Sequence, residues 1–209
     1  MRELTPNTLT DAIFAAVADH SRPLLTYYDD ATDERTELSA ATLGNWAAKT
    51  ANYLRDEIGV AEGDVVGVDL PEHWQTAGIL LGALWAGAEV HFDSTEDPMV
   101  VFTSRDRLDS HPDVDEIVVA SLDPFALPLR DLPPGVGDYG SVVRVHGDQF
   151  SSRYPASATL EGAPIGEVLD DARATAEREG IGPGARVVST RPWYSGDRVI
   201  AHLLAPLLA

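Results

Sequence analysis

The stretch from Ser157 to Gly166, SATLEGAPIG, holds residue types that bind phosphate. Ser157 and Thr159 bring hydroxyls, and Gly162, Pro164 and Gly166 fall at alternate positions before an amphipathic segment. Backbone N–H groups of a glycine-rich turn, aimed at an anion from the start of a helix, are a general way to hold phosphate. A phosphate loop would also place a lysine here, and this sequence has Ile165. Two readings stand side by side. One is a degenerate nucleotide loop; the other is a glycine–proline turn entering a helix with Pro164 near its first turn.

A second group is Trp193, Tyr194 and Ser195, after a predicted strand and Pro192. Ligands of open α/β sheets bind at the carboxyl edge of the strands, so these three are pocket candidates. His146 and Asp148 invite an acid–base reading, but a lone His-x-Asp more simply makes a hydrogen bond that steadies a loop. His20, His73, His91, His111 and His202 show no ligand spacing. The acidic groups Asp29–Asp30, Asp33–Glu34 and Asp113–Asp115–Glu116 lack the glycine and spacing of a calcium loop, so they read as solvated turns. No serine sits in a nucleophile elbow. No residue is assigned as catalytic and none as a metal ligand.

These candidates need elements to hold them. Thr8 or Thr10 caps a first helix with Leu9, Ile13, Phe14 and Val17 as its apolar stripe. RPLLTYYDD and RTELS read as a hairpin. Ser39 opens a helix whose Leu43, Trp46, Ala47, Ala51 and Leu54 share a face, ending near Gly59. Val65, Val66 and Val68 form a short buried strand. Glu72 to Trp85 is apolar nearly throughout and reads as a buried helix ending at Gly87. AEVHF, MVVFTS (after an acidic turn) and EIVVAS are further strands, with Ser104 placed to cap RDRLDSH. Strands alternating with helices predict an α/β fold with a mostly parallel sheet flanked by helices. From Asp123 to Pro155 the chain is rich in proline and glycine and reads as loop, with SVVRVH as either strand or helix. A helix follows from about Ile165 to Gly180, exposing Glu167, Asp170, Asp171 and Glu177. A strand ARVVST and a last apolar helix from about Asp197 close the chain. Residues 1–209 are expected to form a single domain, its subregions about 1–122 and 156–209 joined by the segment 123–155. The segments 59–71 and 180–192 echo one another as two similar helix-to-strand crossovers.

Composition narrows the function. The net charge is −19 over 209 residues, with Lys49 the only lysine. A surface this acidic repels nucleic acid and anionic lipid, so neither is expected as a partner. There is no cysteine, which excludes disulfides, thiolate metal sites and cysteine nucleophiles. No run approaches the roughly eighteen apolar residues of a membrane span, and the N-terminus lacks a signal peptide's apolar core. A cytoplasmic protein is expected. The sequence names no small-molecule or protein partner.

The order of these units resembles the beginning of the adenylate-forming, or AMP-binding, superfamily, which includes acyl-CoA synthetases. The resemblance rests on Gly59, Gly63, Asp64, Val66 and Val68, then Ala86, Gly87 and Ala88. It resumes in GIGPGARVVSTRPWYSGDRVIAHLLAPLLA, and together the two parts cover about two thirds of the chain. The pattern is most similar to a small actinobacterial family with remote similarity to AMP-binding enzymes. In the superfamily the loop reads Thr-Ser-Gly-Thr-Thr-Gly-x-Pro-Lys-Gly. Aligned through its glycines and proline, Gly162, Pro164 and Gly166 match and Ser157 keeps one hydroxyl. Thr159 stands where a glycine is expected, Leu160 and Glu161 replace the two threonines, and Ile165 replaces the lysine. Each change removes chemistry. Even at an effective dielectric of about 20, a carboxylate about 4 Å from an anion costs about 4 kcal/mol. The resemblance also implies ribose-binding, magnesium-binding and catalytic-lysine positions in a C-terminal part that this sequence does not contain. Lys49 lies far upstream of them. Trp193 and Tyr194 stand where the superfamily lines an acyl pocket, with Ser195 at the place of a histidine.

The resemblance therefore implies a non-catalytic or degenerate relative of AMP-binding enzymes that keeps a pocket for a small molecule or partner, with no cofactor expected. Two alternatives stay open. One is a working ligase that uses ATP, AMP and Mg2+ chemistry with a partner supplying the missing parts. The other is an acidic interaction module that assembles through an exposed sheet edge.

Overall fold

A computed structural model describes residues 8–92, 97–152 and 157–209. The acidic turn over 93–96 and Pro155 lie outside the described residues. Thr8 caps the first helix, α1 (Leu9–Ala16), by accepting from the Asp11 N–H. Next comes an antiparallel hairpin of β1 (Pro23–Asp29) and β2 (Glu34–Ser39), which among the described residues pair with each other and no other strand. Ser39 caps α2 (Ala40–Tyr53) through the Thr42 N–H; a π turn over Leu54–Ile58 prolongs it to Gly59.

The main sheet is built from β3 (Val65–Asp69), β4 (Glu89–His91), β5 (Val100–Ser104), β6 (Ile117–Ala120), β7 (Val136–Asp138), β8 (Thr159–Leu160) and β9 (Ala163–Pro164). Its order is β7-β6-β5-β3-β4-β8-β9, and every pairing is parallel except the last. This is the expected α/β architecture. Strand β3 has β4 on one side and β5 on the other, so the chain reverses its direction of growth there. Such switch points open a crevice at the carboxyl ends of the strands. Those ends are Asp69, Ser104, Ala120, Asp138, His91 and Leu160. β5 and β6 are buried at every residue, as strands covered on both faces must be.

Between β3 and β4 runs α3 (Trp74–Ala86), with every residue but Trp85 buried. Its apolar run therefore marks a core helix, and each fully buried leucine or isoleucine contributes about 1.5–3 kcal/mol. Helix α2 crosses it in backbone contact at Gly82. A Cβ there would fall 2.6 Å from Thr50 Cβ and 2.7 Å from the Ala47 carbonyl.

Three expectations are resolved or corrected in the second half. The first four residues of SVVRVH are helical: Asp138 caps α4 (Tyr139–Arg144) by accepting from the Ser141 N–H, and Val145 ends it. Within the proline-rich segment Val136–Asp138 nevertheless forms β7, pairing with β6. ARVVST is not a strand of the sheet. Residues 183–192 run exposed and unpaired between α5 (Ile165–Arg178) and a C-terminal helix. That helix comprises α6 (Gly196–Val199), a π turn over Ile200–Leu204 and α7 (Ala205–Leu208). A β-prone run needs a neighbouring strand to ladder with, and among the described residues none lies beside it.

Candidate functional site

Strand β8 runs parallel to β4, setting Thr159 beside Glu89 and Leu160 beside Val90. The chain then turns at the carboxyl edge through Glu161 and Gly162 and returns as β9, with Leu160 opposite Ala163. Both turn residues have positive φ, 50° and 79°. A two-residue hairpin turn of the I′ kind requires this at both positions, and glycine meets it without steric cost. Glutamate does not, and its strain is of the order of 1–3 kcal/mol. Two hydrogen bonds hold it there: the Glu161 N–H donates to the Val90 carbonyl at 2.8 Å, and the Gly196 N–H donates to Glu161 Oε2 at 2.6 Å. The Glu161 carboxylate thus sits at the start of the C-terminal helix, where the exposed N–H groups favour negative charge. A Cβ on Gly196 would fall 3.0 Å from Glu161 Oε2 and 3.4 Å from Leu160 Cγ, so a side chain there would push on the carboxylate that the N–H holds.

The other loop residues have structural employments. The Ser157 hydroxyl donates to the Gly87 carbonyl at 3.5 Å. Thr159 Oγ1 is buried without a hydrogen-bond partner among the described residues. Pro164 stands at the N-cap of α5, and Ile165 is buried in the apolar core. Gly166 lies exposed in the first turn. The structure therefore brings Leu160 and Glu161 together with Gly196. Ser157 lies at the opposite, entering end of β8.

Trp193 is 9 % exposed and joins the core, whereas Tyr194 is 62 % exposed with the Arg198 guanidinium 5.6 Å from its ring centre. Ser195 occupies the N-cap of α6 and makes no side-chain cap bond. Beyond them an open groove of about 410 Å³ separates α5 from the C-terminal helix, lined by Asp171, Thr175, Arg178, Asp197, Arg198 and His202. Burial, then the Arg198 and Arg191 cations, hold the His202 imidazole below its ordinary pKa.

Fold proximity also unites residues that spacing could not. Asp69, at the end of β3, accepts from Arg107 Nη1 at 2.6 Å and from His111 Nε2 at 3.0 Å. The carboxylate fixes the imidazole with its proton on Nε2, and His111 Nδ1 is buried without a partner among the described residues. Asp69 and His111 are 42 positions apart, so nothing in the sequence linked them. His146 belongs to a different arrangement. Its carbonyl accepts from Lys49 Nζ at 2.6 Å, and Asn52 Nδ2 donates to the Gly147 and Gln149 carbonyls at 2.9 Å each. Helix α2 thus clamps the turn that carries His146 and Asp148. Among the described residues no group of three or more carboxylate or imidazole side chains is placed to hold a metal ion. No helix among them is long and apolar enough to cross a membrane.

A mostly parallel seven-stranded sheet flanked by helices gives this α/β protein the fold of the N-terminal part of acyl-CoA synthetases. The acyl-CoA synthetase of Brucella canis superposes with a TM-score of 0.78 at 18% identity, over 96% of this chain and 41% of that one. The acetoacetyl-CoA synthetase of Streptomyces lividans gives 0.72 at 20%, over 96% and 37%. The fatty acid AMP ligase of Legionella pneumophila gives 0.66 at 14%, over 100% and 39%. The chain thus spans about two fifths of the length of these enzymes. No protein-family model matches the chain. It is 44% identical to a TIGR03089 family protein of Mycobacterium tuberculosis over 214 residues, 98% of this chain and 88% of that protein. The chain belongs to the TIGR03089 family.

Proposed function

We propose that this chain is a non-catalytic relative of adenylate-forming enzymes that uses the carboxyl edge of its sheet to bind a small molecule or a protein partner. The observation that carries this reading is the Glu161–Gly196 contact at 2.6 Å. The carboxylate that stands in the candidate phosphate loop is thus already fixed by a hydrogen bond within the chain, where a phosphate loop would keep its groups for an anion. The residues present fit a nucleotide triphosphate poorly. The turn from β8 to β9 is two residues long, Ile165 lies in the core, and the Glu161 charge would repel an arriving phosphate by about 4 kcal/mol at about 4 Å. No cofactor is assigned on this reading.

A second reading is an ATP- and Mg2+-dependent ligase that activates a carboxylate with a partner chain completing it. The exposed and unpaired stretch 183–192 is what favours it. Isothermal titration of the folded protein with ATP and with AMP, each with and without magnesium, separates the two. The non-catalytic reading expects no saturable heat. Micromolar binding that strengthens in Glu161→Thr would replace it with the second.

A further inference from the structure

Acidic residues outnumber lysine and arginine by 34 to 15 in this chain, and the fold does little to match them. Among the described residues, arginine meets a carboxylate in Arg35–Glu37, Arg55–Asp56, Asp170–Arg173 and Arg178–Glu179, each between residues at most three positions apart. Such neighbours stay close in the unfolded chain too, so these pairs favour folding little. Only Arg107–Asp69 joins distant segments, 38 positions apart. Lys49 holds main-chain carbonyls instead of a carboxylate. Elsewhere the fold sets like charges together. Asp29 stands directly opposite Glu34 in the β1–β2 register, where two carboxylates destabilise the pairing. On α5, Glu167 and Asp171 are exposed and four positions apart, a spacing at which like charges repel. Glu177 lies in the last turn of the same helix, where the free carbonyls disfavour negative charge.

Folding brings these charges closer together than the unfolded chain holds them, so self-repulsion weighs on the compact state. Dissolved ions screen it. The Debye length shortens from about 30 Å at about 0.01 M salt to about 8 Å at about 0.15 M and about 3 Å at about 1 M. The same screening weakens Arg107–Asp69, but one pair does not offset a net charge of −19. We propose that this chain couples its folding to ionic strength: monovalent salt stabilises the native state by screening its own carboxylates, with no cation held at a fixed site. This goes beyond the binding reading above and does not depend on it, because it rests on where the charges lie and not on what binds near Glu161.

The test is urea unfolding of the whole chain at about pH 7.5, from about 0.01 M to about 1 M sodium chloride. The midpoint should rise by about 0.5 M urea or more, with most of the rise below about 0.15 M salt, where the Debye length shortens most. Potassium and tetramethylammonium chlorides should give the same curve, since screening does not depend on which monovalent cation is present. Asp171→Lys sets a cation four positions after Glu167; it should raise the midpoint at low salt and flatten the curve. Arg186→Glu, at an exposed position, should lower the midpoint at low salt and steepen the curve. Far-ultraviolet spectra verify that both variants are folded. A midpoint that stays flat or falls with salt overturns the proposal. So does a rise that runs linearly to about 1 M and is equal in all three proteins, which is salting-out of apolar surface. A gain from magnesium beyond that of sodium chloride at matched ionic strength puts a cation at a fixed site and overturns the screening mechanism. Nucleotide titration of the same preparation is indifferent to all of these outcomes, so the two proposals fail separately.

Discussion

Acid should destabilise this protein partly through one imidazole. His73 caps α3 with Nδ1 accepting from the Gln75 N–H at 3.1 Å, so Nδ1 must stay unprotonated for the cap to exist. The ring is 2 % exposed, packs edge-on to Tyr27 at 4.5 Å, and keeps Nε2 3.7 Å from the Glu34 carboxylate, too far for a strong bond. Burial depresses its pKa from 6.5 to about 4, only partly opposed by Asp123. The native pKa lies below the unfolded one, so the unfolded chain takes up the proton first as pH falls. The stabilising effect is complete above 6.5 and is lost as pH falls towards about 4. The full gap corresponds to about 3 kcal/mol, of which about 2 kcal/mol is lost by about pH 5. Urea unfolding at about pH 7.5 and about pH 5 measures this directly in the wild type and in His73→Asn, which retains a capping side chain. The wild type should lose about 2 kcal/mol more than the variant between the two conditions. Equal losses, or a His73 resonance that titrates near its ordinary value in the native state, would refute the argument.

Ile165→Lys, which would restore a lysine to the loop, places an ammonium in the core and should cost at least about 3 kcal/mol in chemical denaturation without creating nucleotide binding. Gly82→Ala should cost about 2 kcal/mol or more, because the new methyl meets the Thr50 side chain and Ala47 carbonyl across the α2–α3 contact; thermal unfolding measures it. Thr50→Val leaves the fully buried Tyr139 hydroxyl without its 3.0 Å partner and should destabilise by about 1–3 kcal/mol in the same assay.

Most of the first half of the fold was legible in the sequence because local signals agreed with one another. Caps at Thr8 and Ser39, the stripe of α2 and the continuous apolar run of α3 each specify an element on their own. What stayed illegible depended on distant partners. Strand β7 is three residues long inside a proline-rich segment and exists because β6 is there to receive it. Strands β8 and β9 are two residues each, and β8 is set by β4, about seventy positions earlier. The run ARVVST shows the converse. Its β-branched residues specify an extended backbone, but propensity does not specify a neighbour. At the site, Gly162, Pro164 and Gly166 were recognisable as turn formers, whereas the role of Glu161 depends on Gly196, 35 positions away. Ile165 reads as a missing lysine in alignment and as a core residue in space.

Lys49 gives the protein an unusual chemical handle. It supplies the only side-chain amine, and its Nζ is engaged with the His146 carbonyl at 2.6 Å and lies 3.5 Å from that of Arg144. Any amine-selective acylating reagent that spares the N-terminus therefore reacts at one position, on a half-buried amine held by the carbonyls at the end of α4. Labelling kinetics at Lys49 would report how far that contact slows the amine. Acylation would remove the cation that holds those carbonyls, while reductive methylation would keep it. Comparing the two products would separate the charge of Lys49 from its bulk at a single, chemically unique site.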